Sequence, residues 1–248
     1  MAGRILKACL RGLAVMCMVS PAMAADLTAF TEEWAPYNYS DNGKIKGIST
    51  DMLKAACEAA RLHCEIRMVP WARAYKVVQS TPNTLLFTTA RKPSRENDFL
   101  WVGPILPRTT WVYGRAGLER TVRDFQELSA LRIGVVREEA ARQDLEAAGV
   151  PPSALVEQAS NADVLRLLAS ANVDAMVETE VGMQWSLRKR MAEPVPVVKL
   201  MKLSDGGAYY FALNLKSDPA MVKILQSAMD RLRRNGQLQA IVARYADR

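Results

Sequence analysis

Residues 49–90 read "STDMLKAACEAARLHCEIRMVPWARAYKVVQSTPNTLLFTTA" and decide the fold. Ser49 or Thr50 can cap a helix, Asp51 sits in its first turn, and "STDMLKAACEAAR" carries apolar residues at helical spacing. "CEIRMV" (64–69) alternates as a half-buried strand does. "WARAYKVVQS" (71–80) returns to a helical pattern, and "TLLFT" (84–88) is a short apolar run of strand length. With the strand "LTAFT" (27–31) upstream, the order is strand, helix, strand, helix, strand. That order predicts βαβ units and a largely parallel sheet in an α/β fold. Right-handed crossovers then place a functional crevice at the carboxyl ends of the strands.

A second cycle begins near Arg132. "RIGVV" reads as a strand, "REEAARQDLEAAG" (137–149) as a helix with acids in its first turns and Gly149 as its stop, "ALVEQ" as a strand, "NADVLRLLASA" as a helix and "VDAMVE" as a strand. Two α/β lobes follow, each with its own run of strands. "TTWVYGRAG" (109–117), β-rich and broken at Gly114 and Gly117, lies between them. The tail is two helices. The first has Ser217 or Asp218 as cap, Pro219 in its first turn and Gly236 past its end, with Val222, Leu225, Met229 and Leu232 on one face.

The residues past the first-lobe strand ends are chemically distinctive. "TTARKPSREN" (88–97) puts two hydroxyls and then Arg91 and Arg95 after a buried-looking strand. A packing strand more often ends in a turn signal such as Asn-Gly, and two guanidiniums there suggest an anion to be held. For Arg91 the alternative is a surface salt bridge to Glu96 or Asp98. Four of the five tryptophans, Trp34, Trp71, Trp101 and Trp111, precede residue 115. Trp34 follows the first strand and Trp71 the second. If the strands are parallel, these loops share one edge and form an aromatic pocket rimmed by hydroxyls and guanidiniums. Such a pocket suits a small ligand with an apolar or planar part and a carboxylate.

The amino terminus and the composition bound the compartment and the partners. Arg4, Lys7 and Arg11 precede "GLAVMCMV" and then Ala22-Met23-Ala24, the pattern of a cleaved secretory signal over residues 1–24. The apolar stretch falls short of the roughly 20 residues needed to span a bilayer. The whole chain has 33 basic and 26 acidic residues; three basic and no acidic ones lie in 1–24, which leaves +4 for residues 25–248. That mild excess, without a basic run, gives little support for nucleic-acid binding. Cys57 and Cys64 remain after signal removal. In an oxidising compartment an even pair reads as a disulfide closing a short loop, worth about 2–3 kcal/mol. A single His, His63, makes a structural zinc site untenable. The chain lacks a phosphate loop, a GxGxxG fingerprint, a GxSxG elbow and an HExxH pair. No cofactor is implied, and any catalysis would rest on carboxylates, Lys or Arg.

Several stretches together carry a family resemblance: "EEWAPYNYSDNGKIKGISTDML" (32–53), "PWARAYKVVQ" (70–79), "TARKPSREN" (89–97) with "WVGPI" (101–105), and "MDRLRRNGQLQAIVARY" (229–245). The sequence resembles bacterial extracellular solute-binding proteins of family 3, the amino-acid-type periplasmic component of ABC importers. The resemblance implies a two-lobed clamshell of the type II periplasmic-binding-protein class, each lobe a mostly parallel sheet flanked by helices. Residues 25–113 with 206–248 would form the first lobe and 114–205 the second. It implies that Arg95 holds a ligand carboxylate, that Trp34 and Trp71 sandwich the ligand, and that Thr88 and the Ala90 backbone hydrogen-bond it. Arg73 of the "PWARAY" wording and Glu33 join the candidates, with Arg91 as an accessory charge. Two departures stand out. Amino-acid binders of this kind usually carry an Asp for the ligand ammonium where this chain has Thr179, so Glu178 could substitute or the ligand could lack an α-amino group. The anion nest after the second-lobe strand is replaced by "VVREEAAR", with Arg137 but no Gly.

The expected function is capture of an amino acid or similar small carboxylate, in the periplasm and by a monomer, for delivery to an ABC permease. The alternatives are a periplasmic dehydratase-like enzyme on the same scaffold, with Glu33 or Glu178 as acid or base, and a ligand-sensing module for a membrane receptor.

Overall fold

The computed structural model describes residues 25–118, 122–189 and 196–246. The expected signal at 1–24 lies outside them. The chain runs β1 (Leu27–Thr31), β2 (Tyr39–Asp41), β3 (Lys44–Lys46), α1 (Ile48–Ala60), β4 (Cys64–Met68), α2 (Trp71–Ser80), β5 (Thr84–Ala90), β6 (Phe99–Arg115), β7 (Ile133–Val136), α3 (Ala140–Ala147), β8 (Leu155–Gln158), α4 (Asn161–Ala169), β9 (Ala175–Thr179), α5 (Glu180–Lys189), β10 (Val197–Asn214), α6 (Pro219–Arg234) and α7 (Gln237–Ala246). The main sheet has the order β4-β1-β5-β10-β6-β9-β7-β8. β1 pairs in parallel with β4 and β5, and β7 with β8 and β9. This is the two-lobed periplasmic-binding-protein architecture, with a parallel set of strands in each lobe.

The lobes are joined by two long antiparallel strands that the periodicity did not reveal. β6 has 17 residues and β10 has 18. Phe99–Leu106 pair with Tyr209–Asn214 on the first-lobe side, whereas Thr110–Gly114 pair with β9 in the second lobe. β6 and β10 change partners around a register shift between Asp205 and Ala208, where Gly206 and Gly207 both have positive φ. Gly114, expected to break the chain, lies inside β6.

Local chemistry explains most of the remaining elements. α1 buries Ile48, Met52, Leu53, Ala56 and Cys57, one helical face, against the sheet and α6. It starts two or three residues earlier than the hydroxyl signal implied. Gly47 is the N-cap, and no side chain caps the end. Gly47 has φ 128°, and a Cβ there would meet the Tyr37 carbonyl at 2.2 Å, so only glycine fits. α6 is capped by the Asp218 carboxylate, which accepts from Ala220 N at 2.8 Å. β5 is buried at all seven positions, as a strand covered on both faces must be. Cys57 and Cys64 are disulfide-bonded, with Cα atoms 6.2 Å apart, and tie the end of α1 to the start of β4. No helix among the described residues is long and apolar enough to cross a membrane.

α3 corrects the sequence reading in a way that bears on the site. Its helix begins at Ala140, not at Arg137. Glu138 sits in the left-handed region at φ 61° and Glu139 is the N-cap residue. The two acids therefore form the turn between β7 and α3 and are not in a helical first turn.

Candidate functional site

Between the lobes lies a narrow cavity, with about 20 Å³ open to the centres of water-sized molecules. The first lobe contributes the residues that follow β1, β4 and β5. Trp34 and Trp71 lie just beyond β1 and β4, and Thr88 and Ala90 close β5. The second lobe contributes Glu139, Asn161, Glu178 and Thr179. The parallel order of β1, β4 and β5 puts their carboxyl ends on one edge, which is why loops far apart in sequence converge.

Arg95 is the most unusual side chain of the cavity. It is 2% exposed. Its Nη2 donates to the Glu138 carbonyl at 2.8 Å, while Nε and Nη1 have no hydrogen-bond partner. Its guanidinium lies 5.3 Å from the Tyr75 ring centroid and 5.9 Å from that of Trp71. Burial pulls its pKa down, opposed chiefly by the nearby Tyr75 and Glu139. A buried cation with two unsatisfied donors is costly unless an anion meets it.

Thr88 has φ 61°, a strained conformation for a β-branched residue. The strain coincides with a register shift between β5 and β10, opposite Tyr210 and Ala212. Thr88 Oγ1 donates to Asn38 Oδ1 at 3.0 Å, so the bulge anchors the turn after β1 to the end of β5.

Hydrogen bonds hold the two lobes together over the cavity. Trp34 Nε1 donates to both Glu178 oxygens at 3.0 and 3.1 Å. The Tyr37 hydroxyl donates to Thr179 Oγ1 at 3.0 Å, and Trp71 Nε1 donates to the Glu138 carbonyl at 3.0 Å. Lys92 pairs with Asp144 at 2.6 Å, and Arg108, 6% exposed, pairs with the other oxygen of the same carboxylate and donates to Ser204 Oγ at 2.7 Å. Glu178 also accepts from its neighbour's amide, Thr179 N, at 2.6 Å. Gly182 makes room for it, since a Cβ there would lie 2.5 Å from Glu178 Oε1.

Three carboxyl groups meet in the cavity with raised pKa values. Burial pushes Glu178 up to about 8, against the hydrogen bonds from Thr179 and Trp34. Glu139, half-buried, rises to about 7, again through desolvation, with Arg108 and Arg95 pulling the other way. Glu32, 3% exposed, is raised well above the ordinary range by burial and then by the charges of Glu139 and Glu178. Among the described residues no group of three or more His, Cys, Asp or Glu is placed to hold a metal.

Seven of the residues proposed from the sequence line this cavity: Trp34, Trp71, Thr88, Ala90, Arg95, Glu178 and Thr179. Four do not. Glu33 accepts from Ser40 N at 2.9 Å and lines a neighbouring smaller cavity. Arg73 is exposed on α2. Arg91 is ion-paired with Glu96 and stacks at 5.2 Å on Tyr210, so its charge is already matched. Arg137 is exposed and pairs with Glu157 at 3.3 Å.

The profile of the bacterial extracellular solute-binding proteins, family 3, matches residues 27–248. The chain belongs to this family. No curated protein sequence matches it. Among solved structures it is similar to a histidine kinase sensor domain resembling periplasmic binding proteins, at 21% identity and TM-score 0.77, covering 89% of this chain and 95% of that one. It is similar to an ancestral arginine-binding protein bound to arginine, at 17% identity and TM-score 0.78, covering 89% and 97%. It is also similar to the arginine-, lysine-, histidine-binding protein ArtJ from Geobacillus stearothermophilus, at 16% identity and TM-score 0.77, covering 90% and 95%. At these identities the likeness establishes the fold.

The sequence reading of this solute-binding protein missed Glu32, Arg108, Glu139 and Tyr209. Glu32 is legible in the sequence, because it lies one residue beyond β1 and two residues ahead of Trp34. Glu139 was hidden by the assignment of Glu138-Glu139 to a helix. Arg108 and Tyr209 lie on the two long strands that the periodicity did not reveal.

Proposed function

We propose that this solute-binding protein works in the periplasm, where its lobes close over an amino acid or similar small carboxylate and present it to an ABC permease. Arg95 carries the reading. Its two unpartnered N–H groups, buried in a cavity between the lobes, are donors suited to a carboxylate. Trp71, against the guanidinium, and Trp34 supply apolar faces for the rest of the ligand. Thr88 and Ala90 belong to the same lining. The pivot of closure lies near Thr109 and Asp205, between a first lobe of 25–113 with 206–248 and a second of 114–205. The protein acts as a monomer and binds without chemistry or cofactor, after removal of a signal over residues 1–24.

The test is a thermal-shift screen of amino acids and organic acids. A ligand at 100 times its Kd adds about 2.7 kcal/mol of stability. A panel that produces no shift at all overturns the reading. A second reading, a sensor module acting on a membrane partner, is favoured by the sensor domain among the similar structures. Neighbouring genes for a permease, or for a kinase, separate the two.

A further inference from the structure

Asp144 lies on α3 in the second lobe, yet its carboxylate is held from outside that lobe. Lys92, in the turn that follows β5 in the first lobe, donates to Oδ1 at 2.6 Å. Arg108, on β6 beside the pivot, donates to Oδ2, and its other terminal nitrogen donates to Ser204 Oγ on β10 at 2.7 Å. One carboxylate thus grips the opposite lobe with one oxygen and the hinge strands with the other. The Lys92, Asp144 and Arg108 side chains are 17%, 15% and 6% exposed. Ion pairs on open surface are worth little, whereas pairs this well shielded are screened far less by salt. Neither Lys92 nor Asp144 lines the cavity, so the grip is exerted without contact to a solute. The neighbouring contacts reinforce it. Lys92 Nζ also donates to the Ala140 carbonyl at 3.3 Å, and Ser94 Oγ lies 3.4 Å from Gln143 Oε1. The Lys92 carbonyl accepts from Arg95 N at 2.9 Å, so the gripped turn is the one that carries Arg95.

We propose that Asp144 is an electrostatic latch: through its double grip on Lys92 and Arg108 it holds the lobes shut whether or not a solute is bound and sets how fast the cleft reopens, while taking no part in the choice of solute. The proposal rests on closure of the lobes and is independent of what they close over. Charge balance explains why the carboxylate is the critical member. Two cations share one anion. Burial pulls the Lys92 pKa down, and the charges of Arg108 and Arg95 pull it the same way, against the hydrogen bond and charge of Asp144. Without the Asp144 charge, Lys92, Arg108 and Arg95 would crowd one edge of the closed cleft with no counter-charge between them. Removing one partner of a shielded pair leaves the other desolvated and uncompensated. Opening relieves that, because Lys92 moves into water and away from Arg108. Lys92 and Arg108 both leave Asp144 free to part from the first lobe without unfolding, since neither bond belongs to the packing of the second lobe itself.

The experiment follows lobe separation in the mature protein without any solute. Single-molecule energy transfer between labels at Lys76→Cys on α2 and Ser170→Cys beyond α4, both exposed positions, gives the closed and open populations and the reopening rate. The unsubstituted latch should show a substantial closed population. Asp144→Asn keeps the shape and removes the charge, and should lower the closed-to-open ratio at least about tenfold, with faster reopening. Lys92→Gln should lower it by less, because Arg108 keeps Asp144 paired. Lys92→Arg keeps the charge and should stay within about threefold of the parent. Circular dichroism checks folding; if Asp144→Asn does not fold, Lys92→Gln decides, since it leaves no buried cation without a partner. A parent protein that is wholly open without solute overturns the proposal. So does an Asp144→Asn or Lys92→Gln ratio equal to the parent's, or a Lys92→Arg loss as large as that of Lys92→Gln. Because no solute enters the assay, a failed latch beside a hit in the thermal-shift screen leaves the solute-binding reading standing.

Discussion

Replacing Arg95 tests whether the cavity holds a carboxylate. The side chain presents Nε and Nη1 without partners in a buried cavity, and a hydrogen bond to a charged group is worth about 1.5–3 kcal/mol. Arg95→Ala removes both donors and leaves a ligand carboxylate in a dry site without its counter-charge, so binding should weaken by at least about 2 kcal/mol, or thirtyfold. The variant also loses the bond from Nη2 to the Glu138 carbonyl, which links the lobes. Trp71→Phe controls for that loss, because Trp71 Nε1 bonds the same carbonyl. Arg95→Lys keeps the charge as a single point and should fall between wild type and Ala. Arg91→Ala breaks an exposed pair with Glu96, an interaction worth about 0–1 kcal/mol, and should leave affinity within about twofold. The assay is calorimetry with the best hit of the thermal-shift screen, with circular dichroism as the check on folding. An Arg95→Ala affinity within threefold of wild type, or an Arg91→Ala loss larger than that of Arg95→Ala, would rule out Arg95 as the carboxylate's partner.

Further outcomes are expected. Ligand binding should shift or quench tryptophan emission, because Trp34 and Trp71 are bonded across the cleft to Glu178 and Glu138; the Trp34→Phe, Trp71→Phe double variant should lose most of the response, and an undiminished response would place the pocket elsewhere. Denatured, unreduced protein should show no free thiol from Cys57 and Cys64; two titratable thiols there would reject the bond, and Cys57→Ser, Cys64→Ser should lower stability by about 2–3 kcal/mol. The ligand-free protein should lose stability as pH rises. Glu178 and Glu139 have folded-state pKa values of about 8 and about 7 against an ordinary 4.5, so their stabilising contribution is complete below pH 4.5 and lost as pH climbs through 7 to 8. Melting temperatures at pH 5.5 and pH 8.5 test this; Glu178→Gln should flatten the difference, and a wild-type protein more stable at pH 8.5 contradicts the sign.

The α/β class, the order of most helices and short strands, the pairing of Cys57 with Cys64 and the half of the site that follows β1, β4 and β5 are legible in the amino-acid sequence. These features are local. Helical and strand periods, capping signals and turn residues act over ten or so positions, and parallel order then sends consecutive strand ends to one edge. Which groups meet across the lobes depends on long-range packing. β6 and β10 pair residues 82–115 positions apart, and no local period records that pairing. Arg91 and Arg95 are four residues apart and equally charged. One turns out to Glu96, while the other is buried between Trp71, Tyr75 and the Glu138 carbonyl. Glu32 and Glu33 divide in the same way, because successive residues at a strand end point to opposite sides. Neighbours of one chemistry are separated by burial, and burial is set by residues from elsewhere in the chain.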